Sequence, residues 1–241
     1  MYILGVESSA VSASAALMND GKLIGEAYIN AGLTHSQTLM TLIDNVLKNA
    51  GITFKDIDIA AVAHGPGSFT GIRIGVAAVK GLCFVNDTPC YGISTLEGLA
   101  SCADVDSFII CPVMDARCMQ VYTALFEKQD GEIVRLLEDT PMKLEELAVV
   151  LKEYDKKILL LGDGADIAYK FLSEKNENIC VFSEVFKYQH ACGIATAAQK
   201  KYNKGISPVK SDELLPVYLR LSQAERELKS REMLKNDSNK Q

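Results

Sequence analysis

Several features that would mark a specific class of site are missing from this chain of 241 residues. No two of its seven cysteines stand closer than seven positions apart, so the Cys-x-x-Cys spacing of zinc and thiol redox sites is absent. We therefore expect no bound metal and mostly buried, reduced thiols. No apolar run reaches 18 residues and Glu7 interrupts the first one, so we expect neither a signal peptide nor a membrane span, and a cytoplasmic protein.

An excess of basic residues is also missing. The formal net charge is −6, whereas a protein that binds a nucleic-acid backbone needs clustered Lys and Arg to release counterions. If nucleic acid is involved, we expect a partner protein to hold it.

Motifs for nucleotide binding and for hydrolysis are absent as well. The chain has no Walker A pattern, and the glycine spacing that starts at Gly65 misses the dinucleotide fingerprint by one residue. No Ser-His-Asp, Cys-His or H-E-x-x-H arrangement is visible to support a peptidase.

The most informative feature present is a glycine-rich segment over residues 65–75, Gly-Pro-Gly-Ser-Phe-Thr-Gly-Ile-Arg-Ile-Gly. It joins an apolar run to a helix-like run, so we expect a strand, then a glycine turn, then the start of a helix. Glycines allow close backbone approach, hydroxyls cap free amides, and such a helix start can bind an anion. The candidate ligand-binding residues here are Gly65, Gly67, Ser68, Thr70 and Arg73. The alternative is a tight strand-to-helix connection with no ligand.

Hydrophobic periodicity in the first hundred residues predicts three strands and then a helix, a strand, a helix and a strand. The predicted elements are residues 2–6, 12–18, 22–29, 34–50, 57–63, 72–85 and 90–93. Asn19-Asp20-Gly21 predicts a hairpin turn, and Gly51 predicts the end of the first helix. This βββαβαβ order resembles the half-domain of the actin, hexokinase and Hsp70 superfamily, which implies an α/β protein of that fold.

The second half repeats the pattern more weakly and predicts a second, reduced domain. Its predicted elements are strands at 107–113, 120–127, 133–137, 157–161 and 179–182, and helices at 144–154, 166–173 and 190–202. We place an N-terminal domain at residues 1–100, a C-terminal domain at 101–222 and a charged helix or disordered tail at 223–241. The helix at 190–204 is a candidate to pack back on the first domain.

Two further polar segments are candidates for a ligand in the cleft between the domains. Ser8 and Ser9, beside Glu7, lie in the first hairpin turn, where superfamily members commonly face a nucleotide phosphate; the alternative is a plain polar turn. Asp115 and Arg117 leave an apolar strand and either bind a ligand or pair with each other.

Three motifs, together with the glycine-rich segment, carry a resemblance to the TsaB (YeaZ) family over about residues 1–222. These motifs are His35-Ser36-Gln37, Met114-Asp115-Ala116-Arg117 and Pro216-Val-Tyr-Leu-Arg220. Glu7-Ser8-Ser9 departs from the Asp-Thr-Ser that members usually carry and is closer to the catalytic paralogue TsaD. We expect His35 to cap or hydrogen-bond and His64 to position a ligand, rather than to bind metal or catalyse.

The same resemblance implies a subunit without catalytic residues. TsaD-like proteins carry a metal-binding His-Met-Glu-Gly-His where this chain has Thr95-Leu-Glu-Gly-Leu99, and Thr95 and Leu99 cannot replace imidazole ligands. The implied role is a non-catalytic partner of TsaD, in an assembly that uses the ATPase TsaE and transfers threonylcarbamoyl to adenosine 37 of ANN-decoding tRNAs. The resemblance also implies a homodimer when the chain is alone, and ATP or ADP, if any, within the complex.

For the partner surface we predict a face made by the first two helices. Small residues at helical spacing let another helix approach closely, and large apolar residues supply contact area. The predicted interface residues are Met40, Leu47, Gly71, Gly75, Ala78 and Val79. The alternative is internal packing of that stripe on its own sheet. A different class of function, an actin-like ATPase or kinase using Glu7, Ser68 and Asp115, stays open at this point, as does a peptidase-like protein.

Overall fold

The computed structural model describes residues 1–220, which form two five-stranded mixed sheets with helices around and between them. The tail expected over residues 223–241 lies outside the described residues.

The first unit contains the predicted elements and one more helix. Its elements are β1 (Tyr2–Glu7), β2 (Ala13–Asn19), β3 (Lys22–Ile29), α1 (His35–Asn49), β4 (Ile59–Gly65), α2 (Phe69–Asn86), β5 (Cys90–Ser94) and α3 (Thr95–Cys102). The strand order is β3-β2-β1-β4-β5, in which β1 pairs antiparallel with β2 and parallel with β4. This is the strand arrangement that the βββαβαβ order predicts.

The second unit repeats the same strand order. Its elements are β6 (Phe108–Asp115), β7 (Gln120–Gln129), β8 (Glu132–Lys143), α4 (Leu144–Leu151), β9 (Lys157–Leu161), α5 (Ala165–Leu172), β10 (Ile179–Val181) and α6 (Ala191–Asn203). The sheet reads β8-β7-β6-β9-β10 from one edge. The second unit is therefore not reduced in its number of strands. The reduction lies in α4 and α5, which have 8 residues each, against 15 and 18 in α1 and α2.

The layers explain how the two units are held together. Helices α1 and α2 cover one face of the first sheet, and α4 and α5 cover one face of the second. The last helix of each unit crosses over, because α6 packs on the first sheet and α3 packs on the second. The two crossing helices also pack on each other between the sheets. A domain division near residue 100 thus falls in α3, and it stays a prediction.

Helix α2 is, among residues 1–220, the one helix that is long and apolar enough to cross a membrane by length and composition. Its Ile72, Val76 and Val79 side chains are buried against the first sheet. That packing is typical of the core helix of a globular domain.

Candidate functional site

The polar turn after β1 packs directly on the glycine-rich segment. Ser8 Oγ donates a hydrogen bond to the Gly71 carbonyl at 2.9 Å, and the Ser68 amide donates to the Ser9 carbonyl at 2.7 Å. A Cβ atom added at Gly71 would overlap the Ser8 carbonyl, and one at Gly67 would overlap that of Ser9. The glycines are therefore needed for contact within the chain.

The last described residues cover the outer side of this segment. The Val217 amide donates to the His64 carbonyl at 2.7 Å. The Tyr218 ring stacks on Phe69 with centroids 4.6 Å apart, and Arg73 Nε donates to the Tyr218 hydroxyl at 2.8 Å. The crevice beside Tyr218 is too narrow to admit a water molecule. Residues of the same chain thus cover one side of the start of α2, where we predicted an anion site, while Ser68 and Thr70 stay exposed there.

Two carboxyl groups with raised pKa values lie at the junction of the two sheets. Burial raises the pKa of Glu7 to about 7, against hydrogen bonds from Ser9 that lower it, and the charge of Asp163 adds to the rise. Burial likewise raises the pKa of Asp163 to about 6, although its Oδ1 accepts a hydrogen bond from Gln189 Nε2 at 2.8 Å. The junction can therefore hold protons near neutral pH, and a bound phosphate there would face acidic groups.

Asp115 and Arg117 lie at the exposed end of β6. Asp115 Oδ1 accepts the backbone N–H of Arg117 at 2.7 Å, and Arg117, Cys118 and Met119 all have positive φ. Arg220 Nη1 donates to the Ala116 carbonyl at 3.0 Å. The end of this strand is therefore a tight turn joined to the last described residues.

The two histidines singled out from the sequence contact backbone carbonyls. His35 Nε2 lies 2.7 Å from the Ala10 carbonyl and ties the start of α1 to the turn after β1. His64 Nδ1 lies 3.3 Å from the Leu215 carbonyl, and burial lowers the pKa of His64. Both contacts connect separate segments of the chain.

Comparisons with known proteins show which family this chain belongs to. The family model described as TsaD, tRNA N6-adenosine threonylcarbamoyltransferase, matches residues 30–228. The Bacillus subtilis tRNA threonylcarbamoyladenosine biosynthesis protein TsaB is 31% identical over 174 residues, which cover 72% of this chain and 76% of that protein. This chain belongs to the TsaB family.

Solved structures show the same fold. An uncharacterized Pseudomonas aeruginosa protein with similarity to peptidase YeaZ superimposes with a TM-score of 0.79 at 26% identity, covering 91% of this chain and 99% of the other. A Clostridium difficile activator of 2-hydroxyisocaproyl-CoA dehydratase, solved with bound ADPNP, gives a TM-score of 0.51 at 9% identity and covers 90% and 99%. The second similarity concerns the fold alone, which is the actin-like fold expected from the sequence.

Thr95 and Leu99, which the resemblance implies stand in place of imidazole ligands, lie inside the protein. Thr95 is fully buried and Leu99 is 2% exposed, both in α3 between the two sheets. Thr95 Oγ1 has no hydrogen-bond partner among residues 1–220. Between them, Glu97 is near Lys201 Nζ at 3.4 Å and Arg135 at 3.8 Å. At these positions this member of the TsaB family has a packed helix with ion pairs at its side.

The predicted interface residues divide into two groups. Gly71, Gly75, Val79 and Leu47 are buried within the chain, whereas Met40 is 48% exposed and Ala78 is partly exposed. A Cβ at Gly75 would stand 2.5 Å from Ser8 Oγ. Because the four buried residues face the chain's own core, the expectation that they line an exposed seam is corrected, and the alternative of internal packing holds for them.

The outward side of α2 carries a different stripe. Ala77, Gly81, Phe84 and Val85 are exposed, and a Cβ at Gly81 would meet nothing within 4 Å. Phe84 and Val85 are each 76% exposed. A shallow, mainly apolar depression of about 400 Å³ lies beside them, with Phe54 in its lining. We call Ala77, Gly81, Phe84 and Val85 the α2 stripe.

Sequence reasoning missed the residues that the second unit brings to the junction. Gly162-Asp163-Gly164 follows β9 as the glycine-rich segment follows β4, and Gly162 has φ +105°. The signal was available in the sequence, since a Gly-Asp-Gly directly after an apolar strand predicts a tight turn with a carboxylate. Gln189 and His190 gave no comparable local signal.

Proposed function

We propose that this member of the TsaB family is the non-catalytic subunit that binds and activates TsaD for threonylcarbamoyl modification of adenosine 37 in ANN-decoding tRNAs. The observation that carries the proposal is the exposed α2 stripe. It is an exposed apolar face on the helix that the glycine-rich segment begins. A protein built for docking needs such a face beyond its core.

The composition of the stripe supports a helix as the partner element. Ala77 and Gly81 are one helical turn apart and allow a second helix to approach closely, while Phe84 and Val85 supply large apolar area at the end of the stripe. Met40 on α1 adds a further exposed apolar side chain. TsaD belongs to the same matched family, so the equivalent helices of TsaD are the proposed partner. A second copy of this chain presents the same helices, which supports a homodimer when TsaD is absent.

The remaining parts of the assembly follow from charge and from the closed site. With a net charge of −6 the chain is proposed to contact tRNA only through the complex, which also includes the ATPase TsaE. We propose a cytoplasmic location, where tRNA is modified. The isolated chain is proposed to use no nucleotide cofactor, and any ATP or ADP is assigned to the assembled complex.

The test uses the chain and the TsaD of the same organism. The test variant is Phe84→Glu/Val85→Glu, which places two carboxylates where docking on TsaD would bury them. Because desolvating two carboxylates without partners costs several kcal/mol, this variant should lose co-purification with TsaD and lower threonylcarbamoyl transfer to tRNA at least tenfold. The matched control is Val149→Glu, an exposed apolar residue on α4 that is 66% exposed. It should bind TsaD as the unchanged chain does, as should Asp115→Ala. Retention of TsaD and of full transfer by the double variant would refute the proposed face.

The same preparation addresses the ATPase or kinase alternative. ATP hydrolysis by the purified chain, lost in Asp115→Ala, would favour that alternative. The closed crevice beside Tyr218 supports the opposite expectation, no turnover by the chain alone.

A further inference from the structure

A cluster of three potential metal ligands lies outside the junction described above. Glu26 is on β3, His190 is the N-cap residue of α6, and Cys192 is in the first turn of α6. One carboxylate oxygen, one ring nitrogen and the thiol sulfur all lie within 4.8 Å of one another. We propose that Glu26, His190 and Cys192 bind a divalent zinc-type ion.

The separation between the carboxylate oxygen and the ring nitrogen is close to the value for tetrahedral coordination. Zinc bonds of about 2.0–2.3 Å at tetrahedral angles place ligand atoms about 3.3–3.8 Å apart. His190 Nδ1 is 3.1 Å from Glu26 Oε2, so these two ligands need to move by only a few tenths of an ångström. Three protein ligands leave one position open, and the Cys102 thiol borders the site at 4.0 Å from Cys192 Sγ. The donor set of carboxylate, imidazole and thiol is one that zinc accepts.

Surrounding contacts hold these side chains in place before any ion binds. The Cys192 amide donates to Glu26 Oε1 at 3.0 Å and leaves Oε2 available for the ion. The His190 ring stacks on Tyr28 with centroids 4.4 Å apart and an interplanar angle of 12°. Supporting contacts of this kind fix ligand orientation in metal sites. The first turn of α6, which has 13 residues, also favours a thiolate at Cys192 because the helix start carries partial positive charge.

Without an ion, Glu26 Oε2 and His190 Nδ1 share a hydrogen bond at 3.1 Å. Binding of the ion displaces the proton between the two side chains, as well as the thiol proton. An ion bound here would join the edge strand β3 of the first sheet to α6, which ends the second unit.

This inference opposes the expectation of no metal that the cysteine spacing gave. The spacing of the cysteines does not bear on this site, because its ligands come from distant segments: 164 positions separate Glu26 from His190. Local motifs do not detect such a site. The inference is independent of the proposed docking to TsaD.

The experiment titrates the full, reduced, chelator-treated chain with Zn²⁺ in competition with a chromogenic chelator, and repeats the titration with Co²⁺. We expect about one ion per chain and a thiolate-to-cobalt charge-transfer band. Cys192→Ser should remove the band, and both Cys192→Ser and Glu26→Gln should weaken Zn²⁺ binding at least tenfold. The control Cys118→Ser changes an exposed cysteine and should bind as the unchanged chain does.

Circular dichroism of each variant separates loss of the site from loss of the fold. The unchanged chain alone already decides the matter, since the absence of stoichiometric binding or of the cobalt band overturns the inference. Equal Zn²⁺ affinity in the unchanged chain, Cys192→Ser and Glu26→Gln overturns it too.

Discussion

The buried carboxyl of Glu7 predicts an unusual dependence of stability on pH. Its side chain is 1% exposed, burial is the main cause of its raised pKa, and Ser9 donates its amide to Oε1 at 2.6 Å. The test substitution is Glu7→Gln. An amide oxygen can still accept that hydrogen bond, while the side chain can no longer ionise.

The magnitude follows from the difference between the folded and unfolded pKa values. With a pKa of about 7 in the folded protein and 4.5 in the unfolded chain, the difference of about 2.5 units corresponds to about 3 kcal/mol. The folded state binds this proton more tightly, so the contribution is fully present below the unfolded pKa of 4.5 and is lost as the pH rises through about 7. Relative to the unchanged chain, Glu7→Gln should therefore gain up to about 3 kcal/mol of stability between about pH 4.5 and pH 8.

The assay is urea unfolding followed by circular dichroism at about half-unit steps of pH over that range, with the free energy of unfolding compared at each step. Asp163 is present in both proteins, so its own burial affects both curves, and its charge enters their difference only through its part in raising the pKa of Glu7. The matched control is Glu145→Gln at an exposed position of α4, where the same chemical change should leave the curve unchanged within about 0.5 kcal/mol. A difference between Glu7→Gln and the unchanged chain that does not vary with pH would refute the reasoning.

Two further predictions concern packing. Gly75→Leu should destabilise the chain by about 1–3 kcal/mol or more in urea unfolding, because its Cβ would stand 2.5 Å from Ser8 Oγ and 3.2 Å from Val62 Cγ2. The control Gly81→Leu, at an open position of the same helix, should be at least as stable as the unchanged chain. An equal fall in the free energy of unfolding for both variants would contradict this account. Tyr218→Ala should lower the free energy of unfolding by about 1–2 kcal/mol, because the stack on Phe69 and the hydrogen bond from Arg73 are lost. An unchanged free energy of unfolding would show that these two contacts do not stabilise the protein.

Most of the fold could be predicted from the sequence because its elements carry strong local signals. The strands at 22–29 and 157–161 match the structure at both ends, and the helix predicted at 34–50 is one residue shorter at each end in the structure. Helix α3 was missed. It has only 8 residues and begins directly after β5, so the apolar run of the strand continues into the helix with no connecting turn. Its helix-start signal, Ser94 with Glu97 three positions later, was present in the sequence.

The candidate site was predicted less well, because burial depends on contacts that no local pattern encodes. Residues at helical spacing on α2 were assigned to an outward face, but the direction of that face is set by Ser8, 63 residues away in sequence from Gly71. The outward stripe contains Ala77 and Gly81, each two positions after a buried residue of the same helix, Gly75 and Val79. Periodicity identifies a face of a helix, and only the tertiary structure tells which face is covered.

The symmetry of the two units explains why we propose docking rather than ligand chemistry. Each sheet ends its first strand in an acidic residue, Glu7 or Asp115, and its fourth in a glycine turn. In an open cleft these four places would surround a ligand. Here Ser8 and Ser9 contact one glycine turn directly, and Gly162 lies against the Val113 carbonyl. Because these contacts use polar groups that a phosphate would otherwise need, we favour the apolar side of α2 as the recognition surface, since its side chains have no partner to lose on binding.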